Sequence, residues 1–358
     1  MRKILAVLVM LAMLCTVPAL AENESFDICL LVPAVGDASY FDGAAMGVRA
    51  LAEEYDNVTA DVVVLGRDPS VYDPFFEDAC ASGKYELIIT GGGECTDALV
   101  KFAAAYPEQT FFDFDFQDTY ERVVGLDNAY GVTYKVYDMG YLAGYLASQI
   151  TVSDMPGANP EKKVGIVLGM DIVDINDFAG SFCQACIDAG VQADVRYANS
   201  FSDPEMGYAQ AIAMYNEGCD IIWQVAGSAG AGVFRAAAET GRYAFGVDVD
   251  QTLTIQDEAQ RATIVTSFYK DYAGVIRKAF DDVRAGSFTG GTYSVIGLAE
   301  GAVGPVDNEQ YRAMVPEDIR AGLSDMYSKV ISGEIVPYSV MAEPEKWEDI
   351  KTEATAAR

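Results

Sequence analysis

The chain has 358 residues, 51% of them hydrophobic, and a formal net charge of −30 at pH 7. This charge repels phosphate backbones, and we therefore expect no nucleic-acid partner. The sequence contains no histidine, which excludes histidine-based catalytic triads and imidazole metal sites. The length suits two domains of ordinary size.

The N-terminal segment has the organisation of a signal peptide. A basic start at Arg2 precedes an apolar stretch, residues 4–17, that is too short to span a bilayer, and the Ala-Leu-Ala at 19–21 fits a cleavage site. Cys15 lacks the small preceding residues of a lipoprotein site. We therefore favour a soluble exported protein, in the periplasm or at the cell surface, over a lipid-anchored one.

From residue 26 onward the chain shows one pattern twice, in which short apolar runs alternate with helical stretches. The runs of the first copy are 26–33, 59–65, 85–90 and 110–115, and those of the second are 163–168, 193–197, 220–225 and 243–248. Such alternation is typical of βαβ units and parallel sheets. The sequence predicts an α/β protein with two Rossmann-like, doubly wound lobes and a ligand-binding cleft between them.

The chain continues beyond the second copy. Further strands are predicted at 262–267 and 292–298, and further helices at 269–285 and 317–332. This tail is too small for a third domain, and we expect it to complete the first lobe. The predicted division is a signal peptide at 1–21, an N-terminal lobe at 22–150 plus about 266–358, and a C-terminal lobe at 151–265. Several segments then cross between the lobes, forming a multi-segment hinge.

Ligands of doubly wound sheets bind beyond the carboxyl ends of the strands. The residues that follow each strand are therefore candidates for contact with a ligand. After the first strand, Asp37, Tyr40 and Phe41 combine a carboxylate with two aromatic rings ahead of a helix. Asp37 also suits an ordinary helix cap, and both interpretations remain open. Phe201, after a strand of the second copy, is a candidate stacking aromatic.

The fourth strand of each copy ends in a carboxylate, Asp115 in the first and Asp248 in the second. Such a pair can act as a general acid and base, as in glycoside hydrolysis. It can instead accept hydrogen bonds from sugar hydroxyls or a base edge without chemistry, or cap the strand ends. Lys270 follows a later strand and is either a compensating charge near these acids or a surface lysine.

Two further features have a functional and a structural interpretation. The glycine run that begins at Gly227 lets backbone N–H groups approach a ligand, but a strand-to-helix turn also needs glycine for its geometry. Cys183 and Cys186 are spaced like a redox or metal pair. Because they lie in mid-helix without a second pair, we favour a core-facing interpretation.

Several segments resemble the basic membrane protein family, the substrate-binding proteins of ABC transporters of the purine nucleoside receptor type. The segments that carry the resemblance are 36–40, 141–144, 201–204, 227–234, 246–251 and 266–270. The similarity extends from about residue 26 to 337. It implies a type I periplasmic-binding-protein fold, a nucleoside held between the lobes and an ABC permease as partner. We expect a monomer that uses no cofactor.

The resemblance also implies roles for individual residues. Asp115 would face the base edge, and Asp248 would accept the ribose hydroxyls beside Lys270. Phe201 and an aromatic ring of the Tyr40-Phe41 pair would lie on the two faces of the base. Gly227 would contact the ligand through its backbone, and Asp37 would contact it from the turn after the first strand. Phe41 stands where the family usually has asparagine, so an amide that can pair with a purine edge is replaced by a ring.

The leading hypothesis is therefore capture of a nucleoside, with a purine nucleoside preferred, and its delivery to a membrane permease without catalysis. Two alternatives remain. A sensor module would present the bound form to a membrane receptor, and an exported hydrolase such as a nucleosidase would use Asp115 and Asp248 as acid and base.

Overall fold

The computed structural model describes residues 25–356, so the predicted signal peptide lies outside the described residues. The described strands are β1 (Phe26–Val32), β2 (Val58–Val64), β3 (Leu87–Thr90), β4 (Thr110–Asp113), β5 (Ala129–Tyr134), β6 (Lys163–Leu168), β7 (Gln192–Tyr197), β8 (Cys219–Val225), β9 (Tyr243–Asp248), β10 (Ile264–Lys270), β11 (Thr292–Ile296) and β12 (Val303–Pro305). The helices are α1 (Tyr40–Glu54), α2 (Asp73–Ala81), α3 (Thr96–Ala105), α4 (Val136–Thr151), α5 (Val173–Ala189), α6 (Pro204–Asn216), α7 (Ala231–Thr240), α8 (Gln251–Thr254), α9 (Glu258–Arg261), α10 (Tyr272–Arg284), α11 (Glu309–Met314), α12 (Glu317–Ser332) and α13 (Trp347–Thr355).

The strands form two six-stranded sheets with the same strand order. The first has the order β2-β1-β3-β4-β5-β11, and the second has the order β7-β6-β8-β9-β10-β12. All pairs are parallel except β10 with β12. The predicted repeat is thus one doubly wound topology built twice, and the two-lobed α/β prediction is confirmed.

Both faces of each sheet are covered, which explains the continuous apolar runs in the sequence. In β1, Ile28 and Leu30 belong to one buried cluster, whereas Cys29 and Leu31 belong to a second cluster on the opposite face. A strand that is buried on both faces needs apolar residues at every position. The six cysteines of the described chain are free and buried, and the core-facing interpretation of the 183–186 pair is confirmed.

Three segments cross between the lobes: the link from β5 to α4, the link from β10 to α10 and the link from β11 to β12. They are joined to one another by backbone hydrogen bonds. The N–H of Lys135 donates to the Ile296 carbonyl, and the N–H of Asp271 donates to the Ala302 carbonyl, both at 2.8 Å. Because the crossings are paired, they form a hinge that moves as a unit.

The structure differs from the expected division of the chain. Strand β10 was expected in the first lobe, but it pairs with β9 in the second sheet, and β12 follows it there. Of the tail, α10 packs on α1 and β11 pairs with β5 in the first lobe, whereas α12 and α13 pack on α4 and α5. A strand usually extends the sheet of its chain neighbour before the chain crosses away.

Helix α4 also differs, because it packs on α5 of the second lobe rather than on the first sheet. Its small residues explain the contact: a Cβ atom added at Gly144 would lie 2.3 Å from the Phe182 carbonyl oxygen. Only glycine allows the two helices to approach this closely. Among residues 25–356, no helix is long and apolar enough to cross a membrane.

Candidate ligand-binding site

A cavity of about 150 Å³ lies between the lobes, at the carboxyl ends of the strands of both sheets. The structure brings every site residue predicted from the sequence into its wall: Asp37, Tyr40, Phe41, Asp115, Phe201, Gly227, Asp248 and Lys270. The strand-end rule therefore selected residues that are distant in the sequence and adjacent in the fold.

A buried ion pair joins the two lobes inside the cavity. Lys270, the last residue of β10, donates from Nζ to Oδ2 of Asp115 at 2.7 Å, and the two side chains are 5% and 2% exposed. Asp115 lies just beyond β4, so each lobe supplies one charge. A buried charge without a partner is costly, and each of these groups therefore depends on the other.

Aromatic rings enclose the ammonium group of this pair. The Lys270 Nζ atom lies 5.3, 5.4 and 5.2 Å from the ring centroids of Tyr40, Tyr134 and Phe178. Cations at this distance from a ring are attracted by its quadrupole. Lys270 is therefore a fixed part of the cavity wall, and the surface-lysine interpretation is wrong.

Asp248 links the lobes a second time. Its carboxylate accepts one hydrogen bond from Ser39 Oγ at 2.6 Å and one from the Tyr272 hydroxyl at 2.9 Å. Burial raises the pKa of the Asp248 carboxyl, against the opposing effects of Lys270 and of both hydrogen bonds. The backbone of Asp248 has a φ of 68°, a left-handed conformation that is strained for a non-glycine residue and is common at functional sites.

Asp37 holds the start of helix α1. Its carboxylate accepts hydrogen bonds from the backbone N–H groups of Ser39, Phe41 and Asp42 at 3.0–3.1 Å. Burial raises the pKa of Asp37, and the three N–H groups oppose this effect. The structure thus supports the cap interpretation: Asp37 lines the cavity and also fixes the turn that carries Tyr40 and Phe41.

Phe201 lines the cavity from the second lobe, and the aromatic pair of α1 lines it from the first. Two glycines leave room for it. A Cβ atom added at Gly169 would lie 2.1 Å from the Phe201 ring, and one at Gly227 would lie 3.1 Å from the Phe201 carbonyl oxygen. Gly227 also has a φ of 53°, so this position needs glycine for its geometry as well as for its place in the cavity wall.

The prediction missed several lining residues. Arg67, Glu94 and Gln117 follow β2, β3 and β4, so the same strand-end rule applied to these strands would have found them. Thr133 and Tyr134 end β5, a strand that was not predicted from the sequence. Asp174, Phe178 and Met341 also line the cavity but do not directly follow a strand, because their position depends on the tertiary fold.

Tyr134 differs from the other polar groups in the wall. Its hydroxyl is buried and has no hydrogen-bond partner among residues 25–356. Burial raises the pKa of Tyr134 well above its usual value, so the hydroxyl remains a neutral donor. Buried polar groups are nearly always hydrogen-bonded, and an exception in a cavity wall indicates a group that is available to a ligand.

The cavity carries more negative than positive groups. In the described chain five carboxylates line it, namely those of Asp37, Glu94, Asp115, Asp174 and Asp248, against the two cations Arg67 and Lys270. Carboxylates only accept hydrogen bonds when ionised. The wall therefore favours a ligand that is rich in donors and carries no negative charge.

Replacing Lys270 tests the ion pair. Lys270→Met leaves Asp115 buried without a partner and is expected to lower the free energy of unfolding by about 3–5 kcal/mol in urea at pH 7. The double variant with Asp115→Asn is expected to recover most of this loss, because both charges are gone. Lys278→Met is the control, since Lys278 pairs with Asp282 on the exposed face of α10. Equal losses for the Lys270 and Lys278 variants would contradict a buried pair.

Asp174 is expected to make stability depend on pH. Burial and the neighbouring Asp118 raise the pKa of Asp174 to about 6, whereas an unfolded aspartate titrates near about 4. The folded state holds the proton more tightly than the unfolded state. The resulting contribution to the free energy of unfolding is therefore full below about pH 4 and is lost as pH rises through about 6.

Through Asp174 the wild type is expected to lose about 1–2 kcal/mol of its free energy of unfolding between pH 4 and pH 7, and Asp174→Asn is expected to abolish this loss. Urea unfolding at both pH values measures the difference. Asp154→Asn, at an exposed position, is the matched control. An Asp174→Asn profile parallel to that of the wild type would show that Asp174 has no such role.

Comparison with known proteins places this chain in a family. A family model described as "ABC transporter substrate-binding protein PnrA-like" matches residues 28–337. The chain is 28% identical over 309 residues to Basic membrane protein A of Borreliella afzelii, covering 85% of this chain and 88% of that protein. It is 26% identical over 285 residues to the ABC transporter nucleoside-binding protein BmpA of Lactococcus lactis subsp. cremoris (strain MG1363), covering 75% and 77%.

The fold is shared with solved solute-binding proteins. An ABC transporter system solute-binding protein from Aeropyrum pernix K1 superposes with a TM-score of 0.72 at 24% identity, over 92% of this chain and 99% of that one. This likeness confirms the type I periplasmic-binding-protein fold, and the family match confirms the resemblance found in the sequence. The chain belongs to the PnrA-like family of ABC transporter substrate-binding proteins.

Proposed function

We propose that the protein captures a nucleoside, with a purine nucleoside preferred, outside the cytoplasm and delivers it to an ABC permease. The observation that carries this proposal is the convergence of aromatic rings and buried carboxylates from both lobes on one cavity. Aromatic rings stack on a base, and carboxylates accept hydrogen bonds from sugar hydroxyls. A relative in the same family is named as a nucleoside-binding protein.

Asp248 is the proposed partner of the ribose. Each of its carboxylate oxygens accepts one hydrogen bond from the protein, which leaves each with further capacity to accept a ligand hydroxyl. Hydrogen bonds to an ionised group are stronger than neutral ones, and they strengthen further in a cavity that excludes water. Burial raises the pKa of Asp248, and the nearby Lys270 opposes this effect and favours the ionised form.

The base is proposed to lie between the two aromatic groups. Tyr40 and Phe41 come from the first lobe, and Phe201 comes from the second. Asp115 and the free hydroxyl of Tyr134 then supply an acceptor and a donor for the base edge. In this arrangement stacking by Phe41 replaces the contacts of the asparagine amide that is usual in the family.

Ligand binding is linked to closure because contacts of both lobes surround the cavity. Apart from the Ser39–Asp248 bond, the carbonyl oxygen of Ala38 in the first lobe accepts hydrogen bonds from Gln251 Nε2 and Thr254 Oγ1 of the second, both at 3.0 Å. A ligand that contacts both lobes stabilises the closed form selectively. The permease then distinguishes the closed form from the open one.

The alternatives fit the site less well. A hydrolase needs one acid that donates a proton, and the ion pair with Lys270 makes Asp115 unsuited to that role, so that Asp248 alone of the two would have to supply it. A sensor module would use the same ligand geometry with a different membrane partner. The signal-peptide pattern of residues 1–21 supports export, and we propose that the protein acts as a monomer without a cofactor.

Thermal unfolding against a set of compounds tests the proposal. Protein refolded from denaturant, to remove any bound compound, is compared with adenosine, inosine, uridine, adenine, ribose and adenosine monophosphate. A nucleoside at about a hundredfold excess over Kd is expected to stabilise the protein by about 2.7 kcal/mol, which raises the midpoint by several degrees. The monophosphate is expected to give a much smaller shift, because the net negative cavity repels its phosphate. A shift from ribose or adenine alone that equals the shift from adenosine would contradict a nucleoside site.

Removing the Tyr134 hydroxyl tests its proposed contact. Tyr134→Phe is expected to weaken adenosine binding by about 1–3 kcal/mol, because a ligand group then lies buried without its partner. The matched control is Tyr130→Phe on the same strand, whose hydroxyl donates to Ser294 Oγ outside the cavity wall. Titration calorimetry measures both constants, and an unchanged Kd for Tyr134→Phe would exclude this contact.

A further inference from the structure

The family match ends at residue 337, but the described chain continues to residue 356. We call residues 338–356 the C-terminal strap. It consists of a loop and helix α13, and its Met341 lines the ligand cavity. A segment beyond the residues that the family model matches therefore lines the cavity.

The loop of the strap is fixed to helix α5. Oδ1 of the buried Asp177 accepts hydrogen bonds from Ser339 Oγ at 2.8 Å and from the Met341 N–H at 3.1 Å. A Cβ atom added at Gly180 would lie 2.7 Å from a methyl group of Val340. The loop thus lies directly on α5. The hydrogen bond from the backbone N–H of Met341 to Asp177 fixes the position of Met341.

Helix α13 anchors the other end of the strap. It packs on α5 and β7, with Trp347 and Ala354 buried. Gln192 Nε2, at the start of β7, donates to the Thr355 carbonyl at 2.8 Å. Because both ends are attached to the second lobe, the strap moves with that lobe when the cleft opens or closes.

Met341 joins an apolar side of the cavity. Ile175 and Phe178 line the cavity from α5, and Ile172, the residue just before this helix, lines it as well. Residues three apart share one face of a helix, so Ile175 and Phe178 lie on the same side of α5. Together with Ile172 and Met341 they form what we call the apolar wall. The carboxylates of Asp115 and Asp248 enter the same cavity from the strand ends.

We propose that the C-terminal strap is a specificity element of this site, in which Met341 contacts the ligand and the size of residue 341 selects among bases of different size. The inference rests on the proposed function, because it takes the ligand to be a nucleoside. A methionine side chain is flexible and its thioether packs favourably against aromatic rings. Asp177 acts as a positioning residue, since it holds Met341 through the backbone.

The test compares three ligands that differ in the size of the base: uridine, adenosine and N6-benzyladenosine. Titration calorimetry gives Kd for the wild-type protein, Met341→Ala and Met341→Trp. Met341→Ala is expected to weaken adenosine binding by roughly tenfold and to shift the preference toward the largest base. Met341→Trp is expected to shift the preference toward uridine. Met206→Ala, at an exposed position outside the cavity wall, is the matched control.

The positioning role of Asp177 has its own readout. Asp177→Asn keeps an acceptor for the loop and is expected to retain the wild-type ratio of the three constants, whereas Asp177→Leu is expected to shift the ratio in the direction of Met341→Ala. A merely structural role would lower stability without changing the ratio.

The outcomes separate the two proposals. If the wild-type protein binds none of the three nucleosides, the proposed function fails and this inference fails with it. If the wild type binds them but both Met341 variants keep the wild-type ratios, the specificity role of the strap is overturned while the nucleoside site stands.

Discussion

The buried ion pair between Lys270 and Asp115 determines how the rest of the site is arranged. It joins the last residue of β10 in one lobe to the end of β4 in the other, at 2.7 Å. Charges in such a place are stable only when they are paired with good geometry, because removal from water is costly for each of them. Aromatic rings enclose the lysine. The other carboxylates of the cavity wall, including Asp248, are left free to accept hydrogen bonds from a ligand.

The sequence was sufficient for features that depend on local pattern. Strands that are buried on both faces read as apolar runs, so both sheets were predictable, and the residues just beyond β4 and β9 led directly to Asp115 and Asp248. The lobe to which an element belongs was not predictable in this way. Helix α4 joins the second lobe because Gly144 allows close contact with α5, and such packing has no signal in the periodicity. Tyr134 was missed because β5 was not predicted, and Met341 was missed because only the tertiary fold brings a C-terminal loop to the cavity.

The site also shows how one family member differs from the common pattern. Phe41 supplies a ring where the family usually has an amide, and the strap adds an apolar wall residue from beyond the family match. Both residues supply contact area rather than directional hydrogen bonds. Recognition of the base would then depend more on its shape and stacking, while the sugar is selected by the polar groups around Asp248. Discrimination by shape alone is modest, whereas discrimination by buried polar groups is large.

The most direct test of the proposed recognition is a crystal structure of the protein bound to adenosine. We expect the ribose hydroxyls to lie within about 3 Å of the Asp248 carboxylate, with the base between Phe201 and the rings of Tyr40 and Phe41. Adenosine bound outside the cavity, or with its ribose away from Asp248, would contradict the assignment of the sugar and base positions.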